Sequence, residues 1–92
     1  MNKYYSTENY VCRHLMDNII LFPTNQKEVG FQGGVTLNNV SYFVWKMLSI
    51  PQTKQDIVLA VSREFNADST IVNNDIEELL NSFLELKIAR ME

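Results

Sequence analysis

The apolar residues of this chain change their spacing at Asn38, and that switch decides what the chain can fold into. Up to Leu37 they recur loosely at alternate positions, as expected of strands buried on one face. Beyond Asn38 they recur every three or four residues, as expected of helices packed on one side. Tyr10-Val11-Cys12-Arg13-His14-Leu15-Met16 reads as a half-buried strand, and Asp17-Asn18 as a two-residue hairpin turn tolerant of positive φ. Ile19-Ile20-Leu21-Phe22, stopped by Pro23, reads as a buried second strand. After the polar stretch from Thr24 to Glu28, Val29, Phe31, Gly33, Val35 and Leu37 alternate as a third, surest over Val35 to Leu37. Gly33-Gly34 also fits a turn, and the pattern leaves both readings open.

Asn38 is a good helix cap, and Val40, Phe43, Val44, Met47 and Leu48 form the stripe of the helix it opens, with Trp45 beside it. Ser49-Ile50-Pro51 ends that helix, because the residue before proline avoids helical geometry. Thr53-Lys54-Gln55-Asp56 resembles a capping box and opens a second helix with Ile57, Val58, Val61 and Phe65 on its apolar face. A third runs from about Ile71 to Lys87 on Val72, Ile76, Leu80, Phe83 and Leu84. Ile88 and Met91 are left to pack the tail. Strands followed by helices indicate an α+β domain, winged-helix-like, with a three-stranded antiparallel sheet followed by three helices.

At 92 residues the chain has room for one core, so residues 1–92 read as one domain, with 1–9 loosely ordered at the start. The N-terminus lacks an apolar signal core and no apolar run approaches the length of a membrane span, which predicts a cytoplasmic protein without membrane contact. Residues 1–37 carry three positive and three negative charges; residues 38–92 carry five and eight. Phosphate binding needs clustered cations, so nucleic acid is not the expected partner.

Chemistry is thinly represented. Cys12 and His14 lie two apart on a strand and share a face, which is compatible with a thiolate–imidazole pair. No second histidine completes such a site, two ligands are too few for zinc, and a free cysteine on a strand ordinarily packs as a small apolar residue. The glycines do not make a phosphate loop, because no G-x-x-x-x-G-K-[ST] is present. Asp75, Glu77, Glu78 and Glu85 sit on the third helix, where a carboxylate near the start is favoured by the helix dipole. No catalytic residue, metal or cofactor is assigned.

One geometric constellation remains. If Val35 to Leu37 lies at a sheet edge, its main chain can accept an extended peptide as a further strand. The third helix carries a second stripe, Asp75, Leu79, Ser82 and Leu86, that the core stripe does not require. Leu79 and Leu86 either wall a groove over that edge or widen the ordinary core face. Asp75 and Glu78 would suit a ligand bearing a basic residue, and Gly33-Gly34 would let another backbone come close.

The set of local patterns then resembles the PqqD-like family, the RiPP recognition elements that serve ribosomally made, modified peptides. The residues carrying the resemblance are Ile19-Ile20-Leu21-Phe22-Pro23, Val35-Thr36-Leu37-Asn38, Val44-Trp45-Lys46-Met47-Leu48, Thr53-Lys54-Gln55-Asp56-Ile57-Val58, Asp75-Ile76-Glu77-Glu78-Leu79-Leu80 and Leu84-Glu85-Leu86-Lys87-Ile88. The first of these closes the hairpin that starts at Tyr10, and the resemblance covers about residues 10–91. Lys87 departs from the pattern by standing where glycine often caps the last helix. The resemblance implies a non-catalytic domain on which a precursor's leader peptide adds beside the third strand and packs against the third helix. By position, the strand contacts would be Val35, Thr36 and Leu37, and the helix contacts Asp75, Leu79, Ser82, Phe83 and Leu86. It also implies a modifying enzyme as partner, such as a radical SAM enzyme or a leader protease, and a monomer or weak dimer. The rival readings are a winged helix on DNA, disfavoured by the acidic third helix, and a self-association module pairing through the free edge.

Overall fold

The computed structural model describes residues 2–24 and 33–92. In chain order the elements are β1 (Lys3–Ser6), β2 (Tyr10–Leu15), β3 (Asn18–Pro23), β4 (Val35–Leu37), α1 (Asn39–Met47), β5 (Gln52–Thr53), α2 (Lys54–Glu64), α3 (Ser69–Glu85) and β6 (Ala89–Met91). The fold is α+β, with the three expected antiparallel strands in one sheet of order β2-β3-β4 and three helices after them. Val29 and Phe31, read as the start of the third strand, lie outside the described residues.

The register follows from burial. Cys12 pairs with Leu21 and Leu21 with Val35, while Ile19 pairs with Leu37. These residues share the face toward the core, where Leu21 is wholly buried. Sliding β2 by one residue would turn its inward set to solvent, which is why the hairpin turn falls on Met16-Asp17 and not on Asp17-Asn18. Asn18 is needed as the partner of Leu15, and Met16 takes the left-handed position with φ 57°.

Each helix begins at a side-chain cap. Asn38 Oδ1 accepts from the Ser41 N–H at 2.8 Å, and Ser41 Oγ accepts from the Asn38 N–H at 2.8 Å, a reciprocal box. Thr53 Oγ1 accepts from the Asp56 N–H at 3.1 Å. Asp68 Oδ1 accepts from the Thr70 N–H at 2.8 Å, so α3 starts at Ser69, ahead of its first apolar residue. The core joins Leu21 and Leu37 of the sheet to Val44 and Leu48, Ile57 and Val61, and Ile76, Leu80 and Phe83 of α3. No helix among the described residues is long and apolar enough to cross a membrane.

The first residues correct the expectation of a loose segment. β1 lies in the middle of a second sheet of order β5-β1-β6, paired antiparallel on both sides. Tyr4 and Tyr5 suit a strand by propensity, yet their partners are Gln52, Arg90 and Met91, too distant for local patterning to reveal. The segment is also fastened to the end of α3: the Thr7 N–H donates to the Ile88 carbonyl at 2.9 Å, and Thr7 Oγ1 and Asn9 Nδ2 donate to the Lys87 carbonyl at 2.6 and 3.1 Å.

That helix end is a Schellman reversal. The Ile88 N–H donates to the Phe83 carbonyl at 2.8 Å and the Lys87 N–H to the Leu84 carbonyl at 3.2 Å, with Lys87 at φ 58°. Ile88 and Phe83 are both buried, the apolar contact this motif favours. Lys87 thus occupies a left-handed position suited to glycine. Lys87→Gly is expected to raise stability by about 0.5–1 kcal/mol, read as a higher urea midpoint at unchanged m-value.

Candidate functional site

The sheet pattern identifies which main-chain groups β4 leaves free. The Thr24 N–H donates to the Asn9 carbonyl at 2.7 Å, in line with the Tyr10–Pro23 to Leu15–Asn18 pairing. Main-chain polar groups alternate sides along a strand, so Asn18, Ile20 and Phe22 bond toward β2, whereas Ile19 and Leu21 bond toward β4. Leu37 and Val35, their partners, therefore spend their N–H and C=O groups on β3. Thr36 points its N–H and C=O the other way, to an edge that no strand among the described residues occupies. Pro23, which lacks an N–H, closes the ladder without costing β2 a bond.

Side chains alternate in the same way. Val35 and Leu37 face inward; Leu37 is 5% exposed and belongs to the core, while Val35 is half-buried. Thr36 projects from the opposite, outer face. Gly34 is required by that face: a Cβ there would lie 2.6 Å from Ile20 Cγ2. The close approach anticipated at Gly33-Gly34 is thus made, at Gly34, by this chain's own side chains.

Two clefts meet over the inner side of this edge. One, of about 620 Å³, is lined by Asn18, Ile19, Thr36, Leu37, Asn38 and Leu79 among others. The second, of about 400 Å³, lies between the start of α1 and α3 and is lined by Val40, Ser41, Asp75, Glu78, Leu79 and Ser82 among others. Leu79, Asn38 and Ser41 belong to both. Leu79 is half-buried and packs on the core from the rim of the clefts, while Asp75 and Ser82 are exposed. The structure thus brings together Thr36, Leu37, Asp75, Leu79 and Ser82. Phe83, at 2% exposure, faces the core. Leu86 lies apart: its carbonyl accepts from the Tyr10 hydroxyl at 2.6 Å, so α3 crosses the sheet from the Leu37 end of β4 to the Tyr10 end of β2.

Sequence reasoning marks Asn38 as a helix cap but does not mark Asn38 and Ser41 as site residues. The signal is nonetheless present, since a box that starts a helix directly after an edge strand must stand at the mouth of any groove between them. Of the Cys12 and His14 pair, Cys12 is half-buried and His14 packs edge-on against Tyr42 at 5.4 Å. Tyr42 also stacks with Trp45 and lies under Lys46, so these rings serve one another. Among the described residues no group of three His, Cys, Asp or Glu could hold a metal.

Residues 19–88 match the model of a protein family described as coenzyme PQQ synthesis protein D, PqqD. The chain belongs to the PqqD family. No curated protein matches it in sequence. Among solved structures it is similar to TbiB1 in complex with the TbiA(beta) leader peptide, with a TM-score of 0.74 over 94% of each chain at 19% identity. That likeness establishes the fold that the two chains share.

The PqqD match begins at the second residue of β3, so β1 and β2 lie before it. Tyr10 shows what they contribute here. Its hydroxyl caps the C-terminal end of α3 from a position only 7% exposed, and burial raises its pKa above the usual 10.0. With the protonated phenol favoured in the folded state, stability is complete below about pH 10 and falls as pH rises through the folded-state value. Tyr10→Phe is expected to cost about 1 kcal/mol at neutral pH, from the lost hydrogen bond. It should also flatten the alkaline fall in stability measured from pH 9 upward.

Proposed function

We propose that this protein binds the leader of a ribosomally made precursor peptide by strand addition to β4, against α3, and presents the peptide to a modifying enzyme. The observation that carries the reading is Thr36: its N–H and C=O face a sheet edge that no strand among the described residues occupies, beside the half-buried Leu79. Main-chain bonds to Thr36 supply affinity without demanding a sequence, and an apolar side chain against Leu79 supplies selectivity. Asp75 and Ser82 line the adjoining cleft, which shares Leu79 with the one at Thr36, and Val35, Leu37 and Phe83 hold the strand and helix in place from below. The PqqD family and the likeness to a protein solved with a leader peptide support this reading.

The protein is a non-catalytic partner in this scheme. A disordered leader orders on binding, and tethering it raises the effective concentration of the attached core peptide at the enzyme, whether a radical SAM enzyme or a leader protease.

The test is a selection of displayed random peptides on the full chain, followed by amide exchange with a selected synthetic peptide. The Thr36 amide is expected to exchange freely alone and to be protected when the peptide is bound. Leu79→Asp should weaken binding by about tenfold or more, with the helical circular dichroism retained, because it places a charge where an apolar side chain must dock. A bound peptide that leaves Thr36 unprotected would refute strand addition, and so would failure to select any peptide.

A further inference from the structure

We infer that the groove selects a cationic leader, in which a basic residue stands two positions from the apolar residue that meets Leu79. The inference rests on the strand-addition reading and adds the chemistry of the ligand.

Register gives the spacing. The main-chain bonds to Thr36 come from the residue opposite it in an antiparallel visitor and from that residue's two neighbours in a parallel one; in both, the side chain opposite Thr36 falls on the outer face with that of Thr36. The two neighbours of that residue turn inward with Val35 and Leu37. The inward neighbour opposite Leu37 meets Leu79, which shares a cleft with Thr36 and Leu37. The next inward residue, two positions further and past the end of β4, reaches the cleft that opens between Asn38 and Asp75. Inward positions are two apart whichever way the visiting strand runs.

Charge gives the residue type. Asp75 and Glu78 both line that second cleft, and Asp17 lines the adjoining one. No Lys, Arg or His lines either cleft among the described residues. Neither Asp75 nor Glu78 has an ion-pair partner among them; Lys54 pairs instead with Glu77 at 3.3 Å. A Lys or Arg brought in on the visiting strand would meet two carboxylates one turn apart on α3. Its aliphatic stem would cover Leu79 and Val40 while its head reached them. An acidic residue at the same place would be repelled, so the pair also discriminates against wrong peptides.

The experiment uses fluorescein-labelled synthetic peptides of about twelve residues that alternate Thr and Val. Each has Leu at one inward position and Lys, Gln or Glu at the next. Binding to the full chain is followed by anisotropy, and strand addition independently by protection of the Thr36 amide. The Lys peptide is expected to bind about three- to tenfold more tightly than the Gln peptide, and the Glu peptide weakest of all. The double variant Asp75→Asn, Glu78→Gln should bind Lys and Gln peptides equally while still protecting Thr36. Raising the salt concentration should erode the Lys preference. Equal binding of Lys and Gln peptides to the unaltered protein, with Thr36 protected, would overturn the charge inference and leave strand addition standing. Binding with Thr36 unprotected, or no binding by any of the three, would overturn both.

Discussion

Thr36→Pro is expected to weaken peptide binding by about tenfold or more while the domain still folds, because it deletes the one β4 donor aimed away from β3, at the edge unpaired among the described residues. The ladder to β3 runs through Val35 and Leu37, so the substitution breaks no bond within the sheet. Proline is tolerated where a strand's N–H faces solvent, and the preceding Val35 is already extended, as a residue before proline should be. The added ring also stands where the visiting chain must approach. Thr36→Val keeps the N–H and changes only the outer-face side chain, so it should bind within about twofold of the unaltered protein. Anisotropy titration with a selected peptide, alongside thermal unfolding, separates the two effects. Unaltered affinity in the folded proline variant would place the binding strand elsewhere.

Phe83→Ala is expected to destabilise the domain by about 3–5 kcal/mol, well beyond the effect of Tyr10→Phe, through lost burial and the cavity left behind. Phe83 is 2% exposed, and its carbonyl also receives the Ile88 N–H that turns the chain into β6. A domain of this size has only about 5–15 kcal/mol to lose, so the thermal midpoint should fall by more than about 10 °C. Residual folded protein at low temperature should still bind peptide, since the ring does not reach the clefts. A loss of affinity with unchanged thermal stability would instead make Phe83 a peptide contact.

How much of the fold and the groove was legible in the sequence depended on whether the signal was local. The spacing change at Asn38, the cap there and the apolar stripe through Ile76, Leu80 and Phe83 are short-range patterns, and the structure carries them as read. The edge position of Val35 to Leu37 was only a condition in the sequence, because strand order is set by long-range pairing; among the described residues the order β2-β3-β4 meets it. Which of the three residues faces outward was not legible, since that depends on a bond between Thr24 and Asn9. The second stripe on α3 mixed two fates. Leu79 and Leu86 share a helical face by number, but α3 crosses the sheet obliquely and carries Leu86 to the β2 side. Helical spacing fixes an angle about the axis; only tertiary packing fixes what lies opposite each turn. The second sheet was invisible for a related reason, because three short strands from the beginning, middle and end of the chain pair in it.

The central place of β1 has a practical corollary. Tyr4 lies opposite Met91, and the Glu92 N–H donates to the Lys3 carbonyl at 2.9 Å, so the first and last described strands finish side by side. A linker of a few glycines would join these ends, and the chain could be reopened at a surface turn such as Met16-Asp17 to give a circular permutant. By the same adjacency, cargo fused to either terminus would emerge from one small patch, which makes the two fusion sites geometrically interchangeable.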